Sequence, residues 1–215
     1  MDTIKTTAVL FDFDGVLVNT EPIYDTFWNE AGARYGLGEN FASKIKGTTM
    51  PYVMETYFSD ASEETKASVL QESNEFEKQM DFPTIDGALD FVYNVKKEGF
   101  KVGLVTSSQD FKMERAFSIL SLNNVFDTIV TADRITKGKP DPMCYLLAAN
   151  DWNAKPENCI VFEDSFAGIK AATLAGMRVI GVSSTIPAEE LSDKVYDVIP
   201  DFSSVSVSQL LEWFK

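Results

Sequence analysis

AVLFDFDGVLV, residues 8–18, joins an apolar segment of strand-forming residues to two aspartates, Asp12 and Asp14, and to Gly15. Side chains alternate along a strand, so both carboxylates would point the same way if the strand continued through them. Neighbouring carboxylates repel each other and are costly to desolvate, and a hard divalent cation such as Mg²⁺ offsets both effects. The segment therefore predicts a buried strand that ends at a magnesium site, with a solvated Asp-x-Asp-Gly turn as the alternative.

Short apolar segments recur along the chain, and segments of helical periodicity separate them. Each apolar segment is continuous, which is typical of parallel strands that are buried on both faces. The predicted strands are residues 8–13, 102–106, 128–130, 160–163 and 179–182, and the predicted helices are residues 88–97, 111–120, 143–150 and 167–174. This alternation predicts a doubly wound, Rossmann-like α/β fold with a parallel sheet, in which ligands bind beyond the carboxyl ends of the strands.

The segment after the first predicted strand breaks this pattern. Residues 19–83 show helical periodicity without a convincing strand, Pro22 suits a helix start, and residues 63–80 predict a charged helix. Because the segment is too long for a simple crossover, we interpret it as a small all-helical cap, with hinges near residues 18–20 and 83–87. The predicted domains are an α/β core of residues 1–18 and 84–215 and a helical cap of residues 19–83.

The composition excludes several classes of function. The 215 residues are 45% apolar, carry a formal net charge of −14 and include no histidine. This acidity argues against binding to nucleic acids or to anionic membranes. The lack of histidine excludes phosphohistidine chemistry, a Ser-His-Asp triad and His-ligated metals, so any general acid or base is Asp, Glu, Lys, Tyr or Cys.

Three further segments place polar residues at predicted strand ends or before a predicted helix. They contain Thr106, Ser107 and Ser108 after the second strand, Lys139 before Pro140, and Glu163 and Asp164 after the fourth strand. A hydroxyl cluster with free backbone N–H groups can hold an anion, and a lysine held extended by a following proline can offset negative charge. Two adjacent acids suit a metal ion. The alternatives are an ordinary turn, a solvated lysine and a helix N-cap.

With these motifs, the chain resembles the haloacid dehalogenase-like phosphohydrolases. The matching motifs are DFDGV at residues 12–16, TSS at 106–108, GKPDP at 138–142 and EDSFAGI at 163–169. They occur in the family's order over essentially the whole chain, and the subgroup it resembles is the β-phosphoglucomutase-like phosphatases with a helical cap. The resemblance implies Mg²⁺-dependent hydrolysis of small phosphate monoesters, sugar or polyol phosphates, through an aspartyl-phosphate.

The resemblance also implies a role for each matching residue. Asp12 would be the nucleophile, and Asp14 would protonate the leaving oxygen and later act as a base on the hydrolytic water. The phosphoryl group would be bound by Thr106, the backbone N–H of Ser107, Ser108 and Lys139. The implied Mg²⁺ ligands are Asp12, the backbone carbonyl of Asp14, Asp164 and, directly or through water, Glu163.

Phosphatases and β-phosphoglucomutases share this machinery and differ in the cap. The mutases carry a histidine where this chain has Tyr24, an arginine where it has Met50, and a basic residue where it has Gln109. A mutase must hold a doubly phosphorylated intermediate, so the loss of these groups favours a phosphatase. Lys46 and Thr48 are candidate substrate contacts, with solvated cap residues as the alternative. A catalytically idle sensor or interaction protein is a third hypothesis, which the intact motifs disfavour.

The last expectations concern location and partners. Residues 1–7 lack the apolar core of a signal peptide and no apolar run reaches transmembrane length, so we expect a cytoplasmic protein. Cys144 and Cys159 show neither a zinc-site spacing nor a disulfide framework. We expect a small phosphorylated metabolite as the partner, no nucleic acid, no membrane, and a monomer by default.

Overall fold

The computed structural model, which describes residues 7–215, is built on a six-stranded parallel sheet. The strands are β1 (Ala8–Phe11), β2 (Lys101–Val105), β3 (Thr128–Val130), β4 (Cys159–Glu163), β5 (Arg178–Val182) and β6 (Asp197–Ile199). Their order is β3-β2-β1-β4-β5-β6. The order reverses on either side of β1, where Phe11 pairs with Leu104 and Phe162. A doubly wound sheet binds ligands at such a reversal, so the fold directs attention to the residues after β1.

The predicted α/β class is confirmed. The first predicted strand is shorter in the structure, and a sixth strand, β6, was not predicted. β1 ends at Phe11, and only the Asp12 N–H continues the ladder, donating to the Phe162 carbonyl at 3.1 Å. The chain then turns, because the N–H groups of Leu17 and Val18 both donate to the Phe13 carbonyl. Both aspartates therefore lie in a turn rather than on a continuing strand. β6 was not predicted because it is a three-residue edge strand with an exposed first residue.

Helices cover both faces of the sheet, which explains why its strands are continuously apolar. The α-helices are α1 (Glu21–Arg34), α2 (Phe41–Ile45), α3 (Met50–Tyr57), α4 (Glu63–Gln79), α5 (Ala88–Lys97), α6 (Asp110–Leu120), α7 (Met143–Asp151), α8 (Phe166–Leu174), α9 (Ala188–Leu191) and α10 (Val207–Trp213). On one face, Val9 and Phe11 pack in a cluster with residues of α5, α6 and α10. On the other, Ala8 and Leu10 pack with residues of α7, α8 and α9.

Helices α1–α4 form the helical insertion between β1 and β2, and it has an apolar cluster of its own. The buried cluster includes Trp28, Phe41, Val53 and Val69, one residue from each helix. α4 begins at an N-cap, where the Ser62 hydroxyl accepts a hydrogen bond from the Thr65 N–H. The insertion therefore holds its shape through contacts that do not depend on the sheet.

The two connections between the insertion and the sheet lie side by side. The Asn19 N–H donates to the Pro83 carbonyl at 2.6 Å, and the Ile85 N–H donates to the Leu17 carbonyl at 3.0 Å. These bonds make a short antiparallel pair at the positions predicted as hinges. Within residues 7–215, no helix is both long and apolar enough to span a bilayer. The predicted lack of a signal peptide concerns residues 1–7, of which 1–6 lie outside the described residues.

Candidate active site

The carboxyl ends of three neighbouring strands bring the predicted site residues together. Asp12 follows β1, Thr106 follows β2 and Glu163 ends β4. Lys139 reaches the same place from the loop before α7, and Asp164 follows Glu163. All five side chains are buried. Residues that are far apart in sequence thus meet at the edge where an α/β sheet binds its ligand.

Lys139 lies between two carboxylates at this edge. Its Nζ is 3.1 Å from Asp12 Oδ1 and 2.5 Å from Glu163 Oε1, and it donates to the Val105 carbonyl at 3.3 Å. Burial lowers the pKa of Lys139, but Asp12 and Glu163 more than offset this effect, so the pKa lies above its ordinary value. Lys139 therefore places a fixed positive charge next to Asp12.

Glu163 accepts hydrogen bonds from the protein at both of its oxygens. Oε1 accepts from Lys139 and, at 2.8 Å, from the Tyr145 hydroxyl. Oε2 accepts from the Asp164 N–H at 3.0 Å and from the N–H and hydroxyl of Ser165, both at 3.1 Å. These contacts make Glu163 the anchor of Lys139. Its role as a metal ligand stays a prediction.

Asp12 and Asp164 supply the oxygens of a candidate metal centre. One oxygen from each, with one from Glu163, forms a buried group in which all three atoms lie within 4.8 Å of one another. Gly15 has a φ of +77°, and a Cβ there would overlap Asp164 Oδ2, so the turn needs a glycine at this position. Buried carboxylate oxygens are the ligands that a hard divalent cation prefers, so this group fits Mg²⁺.

Burial raises the pKa values of Asp12 and Asp164. The pKa of Asp12 is raised from 3.8 to about 8, first because of desolvation, which Lys139 opposes and the Glu163 and Asp14 carboxylates reinforce. The pKa of Asp164 also lies well above its usual 3.8, first because of burial and then because of the Glu163, Glu21 and Asp12 carboxylates. A cation among these oxygens would favour their ionised forms, which is the electrostatic signature of a metal site.

Asp14 has a separate set of partners. Its Oδ1 and Oδ2 lie 2.7 Å and 2.6 Å from the Nζ of Lys112. The Ser108 hydroxyl donates to Oδ2 at 3.0 Å, and the Thr20 hydroxyl donates to Oδ1 at 2.5 Å. The Asp14 side chain is 16% exposed, whereas the Lys112 side chain is completely buried. Asp14 therefore faces the solvent side of the site while its counter-ion lies behind it.

The hydroxyl cluster connects the end of β2 to Asp14 and to the helical insertion. Thr106 Oγ1 accepts a hydrogen bond from the Ser108 N–H at 3.0 Å. The Ser107 hydroxyl donates to the carbonyl of Gly47, in the insertion, at 2.8 Å. The cluster lines a cavity between the sheet edge and the insertion. Binding of a phosphoryl group by these residues stays a prediction.

A cavity separates the sheet edge from the helical insertion, and both Lys46 and Thr48 line it. The Lys46 Nζ lies 3.1 Å from Glu21 Oε2 and 2.8 Å from Asp25 Oδ1. Burial lowers the pKa of Lys46, but hydrogen bonds and charges from Asp25 and Glu21 raise it overall. The Thr48 hydroxyl donates to the Ile45 carbonyl at 2.6 Å. Both predicted cap contacts therefore face the cavity with protein partners already in place.

Sequence analysis missed Thr20, Lys112 and Tyr145, which contact the two predicted acids Asp14 and Glu163. Lys112 carried a signal that was available in the sequence. It lies in α6 next to buried Met113 and one turn before buried Ala116. A lysine on the apolar side of a helix indicates a buried anionic partner, because a lysine is almost never fully buried without one.

The sequence of this chain is similar to that of known proteins. Residues 9–182 match the family model of the haloacid dehalogenase-like hydrolases, a span that runs from the second residue of β1 to the end of β5 and includes all the site residues above. The chain belongs to this family.

Two relatives and one solved structure place this haloacid dehalogenase-like hydrolase among phosphate-handling enzymes. The phosphorylated carbohydrates phosphatase of Thermotoga maritima is 35% identical over 185 residues, which cover 81% of this chain and 84% of the relative. The validoxylamine A 7'-phosphate phosphatase of Streptomyces hygroscopicus subsp. limoneus is 30% identical over 191 residues, covering 86% and 90%. The β-phosphoglucomutase of Clostridium difficile superposes with a TM-score of 0.79 at 25% identity, over 97% and 96% of the two chains. These matches confirm the predicted family and the predicted enzyme class, a phosphoric monoester hydrolase.

Proposed function

We propose that this hydrolase is a Mg²⁺-dependent phosphatase that cleaves small sugar or polyol phosphates through an aspartyl-phosphate at Asp12. One observation carries the proposal. Asp12 lies buried, 3.1 Å from Lys139 and next to Asp164, in the lining of a cavity that Asp14 also lines. Hydrolysis of a phosphate dianion needs a nucleophile, a proton donor and positive charge in one place, and these residues can provide all three.

Asp12 and Asp14 would divide the chemistry between them. The Asp12 carboxylate attacks phosphorus, the bond from phosphorus to the leaving oxygen breaks, and Asp14 gives its proton to that oxygen. A water molecule then attacks phosphorus, loses its proton to Asp14 and frees Asp12 and inorganic phosphate. The cycle returns both residues to their starting state without a histidine, of which the chain has none.

Positive charge and hydrogen bonds from the sheet edge would hold the phosphoryl group. Lys139, anchored by Glu163, offsets the charge of Asp12 and of the phosphoryl oxygens, which Thr106 and the N–H of Ser107 would bind. Mg²⁺ would be held by Asp12, Asp164 and the backbone carbonyl of Asp14, with Glu163 contributing directly or through water. When bound, the metal would supply positive charge that reduces the repulsion between the Asp12 carboxylate and a phosphate dianion.

The charges of the cavity favour a substrate with a single phosphate group. Among the residues that the structure describes, Lys46 is the one basic lining residue that the insertion contributes. Glu21 and Asp25 already neutralise it. A second phosphate would meet these carboxylates rather than an uncompensated cation, which is unfavourable. The names of the two phosphatase relatives, which refer to phosphorylated carbohydrates and to validoxylamine A 7'-phosphate, support a polyol as the leaving group.

The helical insertion would act as the cap of this site. We assign residues 19–83 to the cap and residues 1–18 and 84–215 to the core. The bond from the Ser107 hydroxyl to the Gly47 carbonyl joins the two across the cavity, and the paired connections at Asn19 and Pro83 provide a common pivot. A closed cap would keep water away from the phosphoryl group during its transfer to Asp12.

A phosphomutase is the second candidate, because the β-phosphoglucomutase structure has the same fold over nearly the whole chain. A mutase must grip a second phosphate in the cap half of the cavity. At that side the lining has Met50 and the neutralised Lys46. The phosphatase is therefore the better match to this cavity.

The deciding experiment measures phosphate release from fructose 1-phosphate, glucose 6-phosphate, β-glucose 1-phosphate and fructose 1,6-bisphosphate, with Mg²⁺ and with EDTA. We expect Mg²⁺-dependent release, slowest for the bisphosphate. Glucose 6-phosphate formed from β-glucose 1-phosphate without phosphate release would establish the mutase instead. If neither phosphate release nor glucose 6-phosphate formation is detected, both the phosphatase and the mutase are ruled out, and a catalytically idle sensor on this fold is favoured.

A further inference from the structure

Lys112 has no role in the mechanism above, although it touches Asp14. Its side chain has no solvent exposure, and its Nζ lies 2.7 Å and 2.6 Å from the two Asp14 oxygens and 2.9 Å from Ser108 Oγ. Removing an ammonium group from water costs several kcal/mol, and lysine is among the residues least often buried completely. The structure therefore places a costly charge directly against the Asp14 carboxylate.

Aromatic rings enclose the ammonium on its other sides. The Nζ lies 5.7 Å from the centroid of the Phe13 ring and 4.8 Å from that of Tyr24, whose hydroxyl donates to Glu77 at 2.7 Å. Asp14 lines the cavity, and Lys112 does not. Lys112 can therefore act on a bound substrate only through the lining residues that it contacts, and among these the Asp14 oxygens lie nearest to its Nζ.

A purely structural ion pair explains this arrangement poorly. Apolar side chains of similar volume would join α6 to the turn after β1 with equal or greater stability. The contacts instead converge on Asp14. Lys112 reaches both Asp14 oxygens, and the hydroxyls of Ser108, which Lys112 also contacts, and of Thr20 donate to one oxygen each. A carboxylate held at both oxygens has one orientation toward the cavity.

We propose that Lys112 is a positioning residue, whose buried ammonium orients the Asp14 carboxyl group, which gives a proton to the leaving oxygen as the acid and takes one from the hydrolytic water as the carboxylate. The inference rests on the proposed function, in which Asp14 exchanges that proton. Each aspartate then has its own lysine. Lys139 lies at 3.1 Å from Asp12, and Lys112 lies at 2.6 Å from Asp14.

The basicity of the leaving group separates this role from a structural one. An alkoxide leaves only with a proton from Asp14, whereas 4-nitrophenolate leaves without one. The value of kcat/KM for 4-nitrophenyl phosphate reports the steps up to departure of the nitrophenolate, so it is insensitive to the position of Asp14. Hydrolysis of the aspartyl-phosphate still needs Asp14 as a base, so this later step slows for both esters.

The experiment compares Lys112→Met with the wild type on fructose 1-phosphate and 4-nitrophenyl phosphate in Mg²⁺. Methionine keeps the length of the buried stem and removes the charge. Lys112→Gln, which keeps N–H donors, is the second variant in case the methionine variant does not fold by circular dichroism. Lys96→Met is the matched control, because Lys96 pairs with Asp127 at 3.6 Å and does not line the cavity.

We expect Lys112→Met to lower kcat/KM for fructose 1-phosphate by about 30-fold and that for 4-nitrophenyl phosphate by less than about threefold. A stopped-flow burst of one nitrophenol per active site should precede a slowed steady state. Equal losses of kcat/KM on the two esters, in a folded variant and without a burst, would overturn the inference and leave the phosphatase standing. A wild-type protein that hydrolyses neither ester would overturn the proposed function itself.

Discussion

The sheet edge and the helical insertion contribute to the same cavity in different ways. At the sheet edge, Asp12 and Asp14 each have a lysine within 3.1 Å, and both lysines are buried. In the insertion, Lys46 contacts two carboxylates and remains partly exposed. In the proposed function the sheet edge holds the phosphoryl group, whereas the insertion pairs its cavity-lining lysine, Lys46, with two carboxylates in the part that would receive the rest of the substrate. This difference predicts that substitutions at the edge act on chemistry and those in the insertion act on selection.

The largest effect is expected from Asp12→Asn. The amide cannot attack phosphorus, so phosphate release should fall by at least about 10³-fold. The fold should persist, because the substitution removes one of several crowded, buried carboxylates. Asp90→Asn, at an exposed position of α5, is the control and should keep full activity. Residual turnover above about one per cent of wild type would remove Asp12 from its assigned role.

The pH dependence of stability in EDTA tests the same crowded edge without substrate. The pKa of Asp12 is about 8 in the folded protein against 3.8 for the free side chain, so the folded state keeps a proton that the unfolded state loses in this range. The proton on Asp12 therefore contributes its full stabilisation below pH 3.8. As the pH rises from 3.8 toward 8 this contribution is lost, and the free energy of unfolding falls by up to about 1.4 kcal/mol per pH unit.

Thermal unfolding of the wild type and Asp12→Asn from pH 5 to pH 8 isolates this contribution. The melting temperature of the wild type should fall relative to that of the variant as the pH rises. Saturating Mg²⁺ should reduce or reverse the trend, because the metal binds the ionised carboxylates. Parallel curves in EDTA would show that Asp12 is not the crowded acid described above.

Substitution of Glu163, which anchors Lys139, is expected to have the next largest effect. In Glu163→Gln the amide NH₂ must face either Lys139 and Tyr145 or the backbone donors of residues 164 and 165, and it can accept from neither. Breaking one side of a buried ion pair should reduce the free energy of unfolding by about 3 kcal/mol. Chemical denaturation measures this loss, with the exposed Glu157→Gln as a control expected to change it by less than about 0.5 kcal/mol. A fully stable variant would contradict the anchoring role.

The sheet edge was predictable from the sequence for a reason that does not extend to the whole site. A continuously apolar strand that ends in polar residues identifies both a parallel strand and its carboxyl end, and all such ends in one sheet converge. Asp12, Thr106 and Glu163 could therefore be placed together without knowing any contact. Glu163 was assigned to the metal from its position beside Asp164 at a strand end and from the family resemblance, and the structure places Lys139 and Tyr145 against its oxygens.

The partners of the missed residues depend on tertiary contacts that no local pattern identifies, even where the pattern indicates burial, as it does for Lys112. Lys112 meets Asp14 across 98 positions of sequence, through the packing of α6 against the turn after β1. The insertion was predicted as helical, because amphipathic periodicity is local, but the ion pairs of Lys46 join α1 to the loop after α2 and were not foreseen. Charge at the sheet edge follows from topology, whereas charge in the insertion depends on which helices pack together.

The smallest effect is expected from a substitution in the insertion, which tests whether the insertion selects the substrate without taking part in the chemistry. Lys46→Met should change kcat for fructose 1-phosphate by less than about twofold and KM by less than about fivefold, because the ammonium already pairs with Glu21 and Asp25. Lys66→Met, which removes an ion pair from α4 outside the cavity, is the matched control. Removing Lys46 leaves both carboxylates unopposed, so the ratio of kcat/KM for fructose 1-phosphate to that for fructose 1,6-bisphosphate should rise. A large loss of kcat on the monophosphate would mean instead that the insertion takes part in the chemistry, and that the division between an edge that reacts and a cap that selects is wrong.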